Sequence, residues 1–286
     1  MSIIDYIIAI IFGIVEGITE WLPVSSTGHM ILLDEFLKMN VSEEFFSLYL
    51  VVIQLGAVLA AVILFWKDVW PFGIKDNPMP LGKKGFGRYI KVKNFMMWFK
   101  ICVACIPAII VGLLFEDYAD ANFYNFYCVS LALVVFGVLF ILVEKVICKG
   151  KEPEVNSIEE ITFVDALVIG IFQMIAAVFP GVSRSGSTII GSLLIGIKRE
   201  IAAKFTFIMA IPVMFGASLL KLLKFEGSIG GAELLLLAIS SIVAFVVSWL
   251  VIKKLMAFVR KHDYTVFGWY RIILGIILIA YYFIAA

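Results

Sequence analysis

The chain has 286 residues, 63% hydrophobic and 16% charged, against about 45–50% and about 25% in soluble domains. That composition excludes a soluble globule. With 23 basic and 22 acidic residues the net charge is +1, which argues against nucleic acid as a partner.

In chain order, the first apolar segment covers about residues 3–37 and is split near its middle by Pro23-Val24-Ser25-Ser26-Thr27-Gly28. It has no basic n-region and carries Glu16 and Glu20, so it is expected to stay in the mature protein rather than be cleaved as a signal peptide. Apolar runs follow at roughly 46–66, 96–115 and 123–143, each near the ~20 residues that a bilayer-crossing helix needs. A second broken segment, about 162–197, is interrupted by Pro180-Gly181-Val182-Ser183-Arg184-Ser185-Gly186. Three more spans close the chain at roughly 203–223, 233–252 and 266–285. Each broken segment reads as helix, break and second helix, too short on either side to cross comfortably. Such backbone is tolerated at membrane depth only where protein or a wet cavity surrounds it. The predicted architecture is an all-α integral membrane protein with six transmembrane helices and two re-entrant broken-helix hairpins in one membrane domain. Four cysteines, Cys102, Cys105, Cys128 and Cys148, make no disulfide framework and read as small buried residues.

The broken segments resemble each other. Gly13, Glu16, Pro23 and Ser26 recur as Gly170, Gln173, Pro180 and Ser183 at a constant offset of 157. Phe46 aligns with Phe205, and Gly56-Ala57 with Gly216-Ala217, after a small drift. The halves are about 1–157 and 158–286. Each would hold one hairpin and three spans, and three crossings send the second half in from the opposite side, which makes an inverted repeat whose breaks meet near the midplane. Basic residues test that topology, since Lys and Arg accumulate on the cytoplasmic side. With both termini external, the cytoplasmic loops carry 17 Lys and Arg and the external ones 3.

A charge at the bilayer centre costs roughly 2.5–3.5 kcal/mol on insertion scales, so ionisable groups there are functional hypotheses. Glu16 and Glu20 are four residues apart and share one helix face. Their repulsion is relieved by a proton, by water or by a bridging divalent cation. Ser25, Ser26, Thr27 and His29 crowd the start of the next half-helix, where free amides favour an anion. Ser183, Arg184, Ser185 and Thr188 do the same at the second break, and a guanidinium among hydroxyls and amides suits phosphate. Facing each other, the breaks would assemble a site for phosphoryl transfer. Either Ser26, with His29 as base, or His29 itself would attack phosphorus. A secondary transporter also fits inverted repeats with broken helices, and a lipid flippase would combine the two ideas. The Ser26/His29 pair separates them, because a transporter needs no nucleophile.

At these residues the chain resembles the undecaprenyl-diphosphatase family, the bacitracin-resistance type of membrane phosphatase. The carrying motifs are Glu16-Gly17-Ile18-Thr19-Glu20-Trp21-Leu22-Pro23-Val24-Ser25-Ser26-Thr27-Gly28-His29 and Pro180-Gly181-Val182-Ser183-Arg184-Ser185-Gly186-Ser187-Thr188. The resemblance implies hydrolysis of undecaprenyl diphosphate, a polyprenyl diphosphate lipid, to the monophosphate and inorganic phosphate. It further implies dependence on a divalent cation, Mg or Ca, and a site open to the outer face of the bacterial plasma membrane. Matched by position, Glu16 and Glu20 are the acidic motif, Ser26 and His29 the catalytic hydroxyl and histidine, and Arg184 the phosphate-binding arginine. Membrane lipids are the expected surroundings, and a homodimer stays open.

Overall fold

The structure, a computed structural model, describes residues 2–75, 77–123 and 125–285. Its elements follow from caps and apolar runs. α1 (Ile3–Thr19) opens on a capping box, in which Ser2 Oγ accepts from the Asp5 amide and the Asp5 carboxylate from the Ser2 amide. α2 (Ser26–Phe36) lies beyond the first break. α3 (Glu43–Leu64) and the single-turn α4 (Trp66–Val69) lead into a loop with a 3-10 turn at Gly85–Tyr89. α5 (Val92–Phe123) and α6 (Phe126–Leu142) come next, α6 running into a π turn at Val143–Ile147. α7 (Phe163–Val178) starts on a second capping box, Thr162 with Asp165, and α8 (Arg184–Leu194) lies beyond the second break. α9 (Arg199–Lys224), α10 (Gly231–Val259) and α11 (Thr265–Ala285) complete the chain. Among the described residues, β pairing is limited to three isolated bridges.

Six helices are long and apolar enough to cross a bilayer: Glu43–Leu64, Val92–Phe115, Phe126–Ile147, Arg199–Lys224, Gly231–Val259 and Thr265–Ile284. Each overlaps one of the spans read from the sequence. The chain is a multi-pass membrane protein. α1, α2, α7 and α8, of 17, 11, 16 and 11 residues, all fall short of the ~20 residues of a span.

The breaks have a local cause. Pro23 and Pro180 lack an amide proton and disfavour helical backbone in the residue before them. Ser25 and Ser183 then adopt φ of 73° and 74°, the positive values among the described non-glycine residues. Each Oγ accepts from the amide three residues on, Gly28 and Gly186, which satisfies one orphan donor of the new helix. Left-handed backbone at such a residue costs about 1–3 kcal/mol, so the surrounding packing must hold it. Here the structure corrects the sequence alignment: Ser183 is the counterpart of Ser25, not of Ser26. Gly181, at φ +92°, is one extra residue between proline and serine and shifts the register.

α1 packs on α10 and α7 on α5, α6 pairs with α11, α3 contacts α9 and α10, and α8 sits against α7 and α9. Small residues permit close approach, as is common between membrane helices. A Cβ on Gly13 would lie 2.6 Å from the Ser240 carbonyl oxygen of α10, and one on Gly170 would strike the Ala104 carbonyl of α5. The larger core surrounds α8 and α9, with Ile189, Ile190, Phe205 and Phe207 at its centre, and the smaller one joins α1, α3 and α10. Of the four cysteines only Cys105 is buried, and Cys102 is exposed. An apolar sequence does not imply burial where the surroundings are themselves apolar.

Candidate active site

The two breaks are fastened together by backbone carbonyls. Ser185 Oγ, near the start of α8, lies 3.3 Å from the Glu20 carbonyl and 3.4 Å from that of Leu22, to which it donates. Arg271 of α11 is fully buried and donates to both breaks: Nη1 to the Pro23 carbonyl at 3.1 Å, Nη2 to those of Gly181 and Val182 at 2.9 and 2.8 Å. Its Nε reaches the Leu133 carbonyl of α6 at 3.5 Å. The guanidinium fork thus satisfies chain that neither helix ladder can, which matters because unpaired buried carbonyls are costly.

Between the fastened breaks lies Glu20. Its Oε2 accepts from Ser26 Oγ at 2.6 Å and its Oε1 from Arg184 Nη2 at 2.9 Å. Arg184 also donates through Nη1 to the Thr206 carbonyl of α9 at 3.2 Å. Thr206 Oγ1 is 3.0 Å from Thr188 Oγ1, whose hydroxyl also meets the Arg184 carbonyl. One turn before Glu20, Glu16 is fully buried, and both its carboxylate oxygens lack a hydrogen-bond partner. Two carboxylates four residues apart, one of them uncommitted, match the all-oxygen donor preference of a hard divalent cation. Among the described residues, no cluster of three or more His, Cys, Asp and Glu adds to that pair.

His29 is held at both nitrogens. The Ser25 carbonyl can only accept, so Nδ1–H donates to it at 2.7 Å, and in the neutral ring Nε2 accepts from the Tyr270 hydroxyl at 2.7 Å. The two rings lie parallel, 5.7 Å apart. His29 and Ser26 therefore do not pair with each other. Thr27 is partly exposed, its hydroxyl without a partner among the described residues. Ser25 and Ser183 act as caps, and Ser185 and Thr188 are buried on backbone carbonyls. Of the hydroxyls expected at a phosphate, Ser26 and Thr27 are the partly exposed pair at the first break.

The family model described as bacitracin resistance protein BacA matches residues 9–277. The chain belongs to this family. It is 53% identical over 282 residues to the undecaprenyl-diphosphatase of Desulfitobacterium hafniense, covering 99% of this chain and 98% of that protein. It is 53% identical over 284 residues to undecaprenyl-diphosphatase 1 of Clostridium acetobutylicum, covering 99% of this chain and all of that protein. An undecaprenyl-diphosphatase of Enterococcus faecalis is 48% identical over 279 residues, 98% of each chain.

Within this member of the bacitracin-resistance family, the structure brings Glu20, Ser26 and Arg184 into direct contact, with Glu16 a turn away and His29 beside them on Ser25. Gln173, the counterpart of Glu16, donates to the Ala104 carbonyl at 3.4 Å and sits in the helix packing. Tyr270 and Arg271 were not apparent from motif spacing. The signal for Arg271 was present: an arginine inside an apolar span demands a use. Tyr270 carried none, because tyrosines are common near membrane surfaces.

Proposed function

We propose that this chain hydrolyses undecaprenyl diphosphate to undecaprenyl phosphate and inorganic phosphate, renewing the lipid carrier of peptidoglycan synthesis in the bacterial plasma membrane and so conferring bacitracin resistance. The observation that carries the reading is the Glu20 carboxylate, which accepts from Ser26 with one oxygen and from Arg184 with the other. The family's undecaprenyl-diphosphatases, aligned over nearly the whole chain, supply the substrate class.

Ser26 is the nucleophile in this reading, because its hydroxyl already donates to a base. Oγ attacks the terminal phosphorus as Glu20 takes its proton, the anhydride P–O bond breaks, and undecaprenyl phosphate leaves. Water then attacks the phosphoserine, and Ser26 departs with the proton held by Glu20. Arg184 neutralises charge on the phosphoryl oxygens, and the Thr27 hydroxyl and the first amides of α2 offer further donors. His29 braces the first break through the Ser25 carbonyl. Attack by its Nε2 would first require release of the Tyr270 hydroxyl. Glu16, whose oxygens are uncommitted, would hold Mg or Ca next to Glu20, and the cation's charge would offset that of a diphosphate. A cleft of about 2210 Å³, lined by Met30, Phe46, Leu50, Ile101 and Val213 among others, takes the polyprenyl chain.

The broken pairs α1–α2 and α7–α8 are re-entrant hairpins of two inverted repeats, with both termini external and the site open to the outer face. Three observations favour this. No half-helix reaches span length. The packing is exchanged between halves, α1 on α10 and α7 on α5, with Gly13 and Gly170 at the matching contacts. Lys and Arg divide 17 to 3 across the resulting loops.

The test is phosphate release from undecaprenyl diphosphate by purified protein in detergent, with and without a chelator, beside Arg184→Ala. Release should require the cation and fall at least ~100-fold in Arg184→Ala, as for a lost transition-state donor. Folded wild type that releases no phosphate with Mg or Ca supplied would overturn the hydrolase reading and favour a transporter. Full release under chelation would remove the cation from the scheme.

A further inference from the structure

The segment between α3 and α5 carries chemistry that hydrolysis does not use. It is a folded loop: bridges join Phe72 to Ile90 and Pro80 to Lys91, and Asn77 Nδ2 donates to the carbonyls of Gly73, Arg88 and Ile90. The fold turns apolar side chains outward. Phe86 is 70% exposed and Leu81 65%, Met79 and Ile74 are exposed beside them, and Trp66 stacks on Trp70 at 4.9 Å with both half exposed. Four cations are interleaved with this apolar surface. Lys75, Lys83, Lys84 and Arg88 are exposed and have no carboxylate partner among the described residues. At the base of the loop the cations are paired instead, Lys93 with Glu159 and Lys204 with Asp68.

We propose that residues 66–75 and 77–90 form a docking surface for anionic lipid headgroups, lying flat on the leaflet at this end of the helix bundle. An apolar patch of this kind in water marks an interaction surface. The loop joins the ends of two membrane-spanning helices, Glu43–Leu64 and Val92–Phe115, so the bilayer surface is its nearest neighbour whichever leaflet that is. The mixture also fits an interface in particular: aromatic rings settle at headgroup level, and Lys and Arg extend from an apolar surface to phosphate, with an attraction that grows with each charge. Purely apolar docking would leave unexplained the four cations that have no carboxylate partner among the described residues, of which Arg88 lies over the Tyr89 ring. This surface does not depend on which group attacks phosphorus.

The test uses the full chain in nanodiscs of phosphatidylcholine or of phosphatidylglycerol, followed by amide hydrogen exchange across residues 74–90. Exchange there should be about tenfold slower in phosphatidylglycerol, with the helix interiors unchanged. Combining Lys75→Gln, Lys83→Gln, Lys84→Gln and Arg88→Gln should return the loop to its phosphatidylcholine rate while phosphate release in detergent stays at wild-type level. Leu81→Ser with Phe86→Ser should also lose the protection. Equal exchange in the two lipids, or protection by phosphatidylglycerol that survives removal of the four charges, would overturn the proposal. Unaltered protection in the serine variant would overturn the apolar part of it.

Discussion

Ser25 and Ser183 hold nearly the same dihedral, φ 73° and 74°, and cap half-helices of equal length. Yet α2 buries only Gly28 and Met30, whereas α8 buries every residue from Ser185 to Leu193. One backbone solution has been placed in two environments. The consequence appears position by position. Ser26, partly exposed on Glu20, corresponds to Arg184; Thr27 corresponds to Ser185, committed to the Glu20 and Leu22 carbonyls; His29 corresponds to Ser187, buried on the Phe172 carbonyl. The buried break is a framework that presents one guanidinium to Glu20, whereas the open break leaves Ser26 and His29 on side-chain partners, Glu20 and Tyr270. Strain at each break must be held by the surrounding packing, and the first break also leaves a hydroxyl on a carboxylate.

Parallel substitution of the two serines separates the roles of the two breaks. Ser26→Ala should lose about 1000-fold or more in turnover, as removal of a nucleophile does, with little change in the melting temperature in detergent. Ser183→Ala removes a helix cap, worth typically ~1 kcal/mol, and should lower the melting temperature while turnover stays within about tenfold. Phosphate release and thermal unfolding measured on both proteins check the pair. If Ser183→Ala abolished turnover without destabilisation, the second break would be reactive too, and the division of labour would be wrong.

Arg271 is where the two breaks meet, and its loss should be the next largest effect. Arg271→Met leaves the buried carbonyls of Pro23, Gly181 and Val182 without their guanidinium donor. Each unpaired group costs about 1–3 kcal/mol. A clear fall in melting temperature should accompany a loss of turnover of roughly 10–100-fold, because Ser26 and Arg184 ride on the two segments that Arg271 joins. Arg271→Lys keeps a charge but not the planar fork, and should fall between. Turnover lost at an unchanged melting temperature would mean that Arg271 acts on substrate rather than on the breaks.

How far these features were legible in the sequence depends on the kind of signal. The spans were readable because apolar runs of span length have few other uses, and the breaks because proline followed by small polar residues cannot continue a helix. Exposure was not readable: lipid-facing and core-facing positions are equally apolar, so Cys102 and Cys105 look alike and differ in burial. At the site, Glu20 and Arg184 stood out as charges at membrane depth, but their contact spans 164 residues and no local spacing encodes it. Helical spacing puts Ser26 and His29 on one face. The left-handed turn at Ser25 instead aims that residue's carbonyl at Nδ1, and the chain folding back through Pro23 brings Glu20 to Ser26.

The Tyr270 hydroxyl offers a test of what His29 does. In the open break its Nδ1–H holds the Ser25 carbonyl, and its Nε2 accepts the Tyr270 hydroxyl. Tyr270→Phe keeps the parallel ring and deletes only that hydrogen bond, a net loss of about 0.5–1.5 kcal/mol. If His29 braces the strained turn while Ser26 attacks, the ring loses an anchor, and turnover should fall by roughly 2–10-fold with the melting temperature nearly unchanged. If Nε2 is itself the nucleophile, the same substitution frees its lone pair from a competing donor, and turnover should hold or rise. Single-turnover phosphate release by Tyr270→Phe beside wild type separates the two, because only the serine scheme predicts a fall. A rise would move the reacting atom from Ser26 to His29 but leave it on the first break, because at the second break the position of His29 is held by Ser187, tied to the Phe172 carbonyl.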